Sequence, residues 1–102
     1  MGDLFVANYG SNQISEYAPD SFGDARPITV IVGGHTGLDH PTGVAIGRDG
    51  TIYVVNDNVN PPSGSTTSDV VVTIYPSGSR GDVAPTRTIK FKQTVTSSYN
   101  GP

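Results

Sequence analysis

The apolar positions of this chain fall in short runs rich in Val, Ile and Thr, each closed by Gly, Pro, Asn or Asp, the pattern of strands separated by turns. Four runs stand out: PTGVAIG (41–47), TIYVVN (51–56), DVVVTIYP (69–76) and TRTIKF (86–91). Between the first two lies GRDG (47–50), an Asp-Gly turn suited to a tight hairpin between antiparallel neighbours. In the second run Ile52 and Val54 share one face while Tyr53 and Val55 share the other, so this strand is expected to be covered on both sides. The last run sets Arg87 and Lys90 beside Ile89 and Phe91, as suits an outer, partly solvated strand.

Laid on itself, the chain repeats. GDLFVAN (2–8) matches GTIYVVN (50–56) at an offset of 48, and ISEYAPDSFGDARPITVI (14–31) matches VTIYPSGSRGDVAPTRTI (72–89) at an offset of 58. Tyr17 thereby pairs with Tyr75, Gly23 and Asp24 with Gly81 and Asp82, and Pro27 with Pro85. The offsets differ by ten, which places an insertion of ten residues, most of NVNPPSGSTTS (58–68), in the second copy. About four antiparallel strands per repeat of about 40–50 residues, the first two joined by a tight hairpin, is the signature of a β-propeller blade. A small two-sheet sandwich is the competitor, but it needs no internal repeat.

HPTGVAIGRDGTIYVVND (40–57) resembles the core of an NHL-type propeller repeat, and YAPDSFGDARPITVI and YPSGSRGDVAPTRTI resemble the connection between its third and fourth strands in bacterial members. The resemblance covers nearly the whole chain and implies an all-β fold of about two four-stranded antiparallel blades. With blade strands lettered A to D from the inside outward, the order is B-C-D and then A-B-C-D. Residues 2–40 would form a first blade lacking its innermost strand together with the D to A connection, 41–92 a second, complete blade with its B to C insertion at 58–68, and 93–102 a tail leading toward a further blade. Because such arrays need neighbours to bury a continuous core, the chain is expected to be a partial propeller, completed by the rest of a longer chain or by homo-oligomerisation, with a trimer favoured. The expected function is that of a non-catalytic scaffold or a binding module for protein or small-molecule ligands, without a cofactor. The alternative, drawn from lyase-like and sugar-lactonase-like relatives, is part of a propeller enzyme using a divalent cation such as Ca²⁺ or Mg²⁺.

Composition narrows the partners. Thirteen Gly, eight Pro and a single glutamate, Glu16, among 102 residues disfavour helices. A net charge of -3, with tyrosines that do not alternate with basic residues, removes nucleic acid and anionic membranes as default partners. The start MGDLFVANYG has neither the basic nor the long apolar segment of a signal peptide. The family's bacterial, exported character favours an extracellular or cell-envelope location, while the absence of cysteine leaves the compartment open.

Propeller connectivity would bring the B to C and D to A loops to one face, around the central channel. That face would gather His35, Asp39, His40, Asn56, Asp57, Asn58 and Asp69, with Asn8 from the first copy. His35 and His40 have no counterpart in the other copy and are the candidates for general-base chemistry. Asp39, Asn56, Asp57, Asn58 and Asp69 are the candidates for binding a ligand or cation. Asn8 and Asn56 recur in both copies, which favours a structural role in closing the turns. Arg80-Gly81-Asp82 spells an adhesion tripeptide, but Gly-Asp recurs at 23–24 behind Phe22, so the pair is expected to belong to a turn.

Overall fold

A computed structural model describes residues 3–57 and 67–94. These form seven strands and, among the described residues, no helix: β1 (Leu4–Asn8), β2 (Gln13–Tyr17), β3 (Thr29–Ile31), β4 (Pro41–Ile46), β5 (Ile52–Asp57), β6 (Thr67–Tyr75) and β7 (Arg87–Thr94). They build two antiparallel sheets, one ordered β1-β2-β3 and the other β4-β5-β6-β7. Within each sheet every strand is hydrogen-bonded to its neighbour in sequence, so each sheet is a simple meander.

Turn chemistry fixes these registers. In the β4 to β5 hairpin, Gly47 N–H donates to Thr51 O at 2.8 Å and the Asp49 carboxylate accepts from Thr51 N–H at 3.0 Å. Gly50 sits at φ +90°, where a Cβ would run into the Ser77 side chain; glycine is required there. Pro41 opens β4 and is buried, with a register shift between Pro41 and Gly43, the position a strand tolerates for a residue without an N–H.

The sheets stack with β1 and β2 against β4, and the core lies between them. Ile14 and Ile31 from the first sheet meet Ile52, Val54 and Tyr75 from the second, with Phe5, Ala7, Leu38 and Val44 packed around them. Period-two alternation delivers these residues to the shared layer. The same alternation sends Tyr53 and Val55 outward, 40% and 38% exposed. β5 is therefore covered on one side only, which corrects the expectation of two-sided cover. The first sheet covers the inward face, while on the outward face Ile74 is buried but Tyr53 and Val55 are not.

The β6 to β7 connection reaches back to the first sheet. Gly81 N–H donates to Val30 O at 2.8 Å and Val32 N–H donates to Gly81 O at 3.1 Å, a parallel bridge on the outer edge of β3. Gly23 and Gly81, equivalent in the repeat, share a left-handed conformation at φ +64° and +68°.

Candidate functional site

The β3 to β4 loop, residues 32–40, carries three of the candidates, and its course is set from below by Tyr75. That side chain is fully buried, with its hydroxyl 2.6 Å from Thr36 O and 3.0 Å from Thr73 Oγ1. Burial pushes the Tyr75 hydroxyl above its ordinary pKa. Thr36 in turn donates through Oγ1 to Gly33 O at 2.8 Å and accepts from Leu38 N–H at 3.2 Å. The loop is thus a hydrogen-bonded unit riveted to the second sheet.

At its end, four candidates come together. Asn56 is 1% exposed; its Oδ1 accepts from Asp39 N–H at 3.0 Å, and its Nδ2 faces Val71 O at 3.1 Å and Thr73 Oγ1 at 3.0 Å. Its polar atoms are engaged in joining β5, β6 and the loop, so it is a structural residue. Asp57 N–H donates to His40 O at 3.1 Å. His40 has a φ of +57°, a left-handed conformation uncommon outside glycine. Its N–H donates to Asn12 Oδ1 at 2.7 Å, its Nδ1 lies 2.8 Å from Asp39 Oδ1, and its ring centroid is 4.8 Å from that of Tyr9. The β1 to β2 turn, the β3 to β4 loop and the end of β5 therefore meet at one histidine.

His35 does not join them. Its Nδ1 lies 2.6 Å from Asp82 Oδ2 and its backbone N–H donates to Asp82 Oδ1 at 2.8 Å. His35, expected to share a face with Asp57 and Asp69, has Asp82 as its hydrogen-bond partner instead. The reason is the length of β3. It has three residues where its counterpart β7 has eight, so the loop leaves the sheet early, level with Gly81. Gly33, at φ +137°, admits the carboxylate: a Cβ there would collide with Asp82. The pair is exposed, and its hydrogen bond and charge raise the pKa of His35 while lowering that of Asp82.

An open hollow of about 580 Å³ lies along the loop, lined by Ser11, Asn12, Gly33, Gly34, Leu38 and Asp39 among others. Polar backbone and one carboxylate could take a small polar ligand there. Among the described residues no group of three or more His, Cys, Asp or Glu is placed to hold a metal ion; the two His–Asp contacts are separate pairs. Asp69 lies in β6 opposite Lys92, whereas Asn58 and positions 58–66 of the insertion lie outside the described residues. So does the tail beyond 94, its first two residues ending β7.

Sequence reasoning missed Asp82 as the partner of His35, Asn12 as the acceptor for His40, and Tyr75 with Thr36 as the loop's anchor. The recurrence of Tyr17 as Tyr75 was a signal for the last of these, since residues kept at equivalent repeat positions hold equivalent structure. The Arg-Gly-Asp tripeptide is exposed and its last two residues serve the fold: Gly81 bridges to β3 and the Asp82 carboxylate contacts His35. No family model, curated protein or solved structure gives a significant match to the chain.

Proposed function

We propose that this chain is a non-catalytic repeat module of the β-propeller kind, its two sheets acting as successive blades, and that it serves as a scaffold presenting a binding surface. The observation that carries the reading is a pair of equivalent hydrogen bonds. Asn8 donates to Ser15 Oγ at 2.9 Å in the first sheet and Asn56 to Thr73 Oγ1 at 3.0 Å in the second, at positions matched by the repeat. Further support comes from Ile28 N–H to Glu16 O at 2.7 Å and Thr86 N–H to Ile74 O at 2.8 Å, again at the repeat offset. Two sheets that reproduce each other's bonds at the same positions are what successive units of one array would show.

The scaffold reading also accounts for the histidines. Both are engaged with a neighbouring carboxylate at the joins between loops, with no third metal-ligating group beside them among the described residues. The test is an activity and ligand screen. Purified chain is assayed against lactones and lyase-type substrates with and without Ca²⁺ or Mg²⁺, beside His35→Ala and His40→Ala. The expected outcome is no turnover distinguishable from the variants and no shift of the melting temperature by either cation. Turnover abolished by either substitution would overturn the scaffold reading in favour of a propeller enzyme.

A further inference from the structure

Each sheet packs one face on the other sheet and leaves apolar side chains exposed on its opposite face, where among the described residues only Ser15 and Ile74 are buried, and the repeat relates the two kinds of face across the pair. The second sheet buries Ile52, Val54, Asn56, Thr73 and Tyr75 on the first. Their counterparts, Leu4, Val6, Asn8, Ser15 and Tyr17, share the opposite face of the first sheet, where Leu4 is 57% exposed and lines an open hollow of about 280 Å³ with Val6, Tyr17 and Phe22. The first sheet in turn packs Phe5 and Ala7, half-buried, and Ile14, buried, against the second. Their counterparts are Tyr53, Val55 and Val72, neighbours on the outward face of the second sheet, where Tyr53 and Val55 are exposed. The two outer faces of one chain thus carry the two halves of an interface already built inside it.

We propose that a second copy of this chain docks head-to-tail, its Leu4, Val6 and Tyr17 face packing on the Tyr53, Val55 and Val72 face of the first. The inference rests on the blade reading, because it transfers the internal sheet-to-sheet contact to a contact between chains. The edge hydrogen bonds transfer as well. Gly81 bonds Val30 O and Val32 N–H on β3; at the repeat offset Gly23 of one copy meets Thr88 O and Lys90 N–H on β7 of the next. β7 is the last strand of its sheet, and an unpaired strand edge is a template for such addition. Gly23 already holds the left-handed conformation of Gly81. A contact between unlike faces is heterologous, so it closes into a ring or runs on as a filament. Three copies bring about six blades, within the four to eight of known propellers.

The experiment combines light scattering with hydrogen exchange on the intact chain. The expected mass is three times the 10.6 kDa of one chain. Gly81 and Val32 amides are expected to be protected at every concentration, and Gly23 and Lys90 amides only where the chain is associated. Leu4→Asp and Val55→Asp should each be monomeric, and an equal mixture of the two should give a one-to-one heterodimer, because each variant keeps the face that the other lacks. A monomer with Gly81 and Val32 protected would reject the second copy as occupant and leave the blade reading standing. Loss of protection at Gly81 and Val32 in a folded chain would reject the blade reading itself. Association that survives both substitutions would overturn the head-to-tail contact, whereas a filament abolished by both would uphold the contact and overturn closure at three.

Discussion

Asn8 and Asn56 lie at the C-terminal ends of β1 and β5, as the last and last-but-one residue respectively; they make the same bond to a hydroxyl on the next strand and differ in what lies over them. Above Asn56 the β3 to β4 loop supplies the Asp39 N–H, and its neighbours Val54 and Tyr75 are completely buried. Asn8 is half-buried, and so are its neighbours Val6 and Tyr17. The contrast is sharpest between Ile52, 2% exposed, and Leu4, 57% exposed. A strand meander with the right turns forms locally in both sheets, but the burial of its apolar side chains depends on what packs against that face.

The largest effect that separates the sheets is expected at their apolar equivalents. Ile52→Ala opens a cavity in the shared core and should destabilise the chain by about 3 kcal/mol. Leu4→Ala, made in the dissociated chain, removes a side chain already largely in water and should cost below about 1 kcal/mol. Urea denaturation of both variants at a concentration too low for association measures the difference directly. Equal losses would show that the first sheet's outer face is covered within the chain, and the comparison would break.

Next in size comes the asparagine pair. Asn56→Ala strands the Asp39 N–H, removes the donor to Val71 O and leaves the Thr73 hydroxyl with Tyr75 as its remaining side-chain partner, and about 2–3 kcal/mol is expected. Asn8→Ala removes a half-buried bond to Ser15 and should cost about 1 kcal/mol. The same denaturation curves read both. Asn56→Ala should also loosen the 32–40 loop, seen as faster exchange of the Asp39 amide, whereas Asn8→Ala should leave that amide unchanged.

Much of this architecture was legible because periodicity and turn residues act locally. The hairpin at 47–50 follows from Asp49 and Gly50, and the strands from β-branched runs between turns. The repeat even marked the positions where equivalent hydrogen bonds occur. Legibility ended where a contact depends on how far a strand runs. Nothing in TVI announces that β3 stops after three residues, and that stop decides whether His35 meets Asp57 or Asp82. Likewise the two apolar faces of β5 implied two covers, but periodicity reports what a face is suited to touch, not whether a chain contains the partner.

The smallest expected effect tests the site where the two sheets are clamped by loops rather than by core. His35 is raised above its ordinary pKa of 6.5 by the hydrogen bond and charge of Asp82, and Asp82 is lowered below 3.8 by the same contact. The signs set a window. The protonated histidine is favoured in the folded chain, so its contribution is lost as pH rises through the raised His35 value. The ionised carboxylate is favoured too, so its contribution is lost as pH falls through the lowered Asp82 value. Between these limits the clamp is closed, and outside them the pair loses one charge. Both groups are exposed, where ion pairs add little to global stability, so the melting temperature is a poor readout. A proton NMR titration of the His35 ring is the direct measurement: its midpoint should lie above 6.5, return toward that value in Asp82→Asn, and stay put in Asp39→Asn. A His35 midpoint insensitive to Asp82→Asn would show that the two loops are not joined through this pair, leaving the Gly81 bridge to β3 as the tie between the β6 to β7 connection and the first sheet.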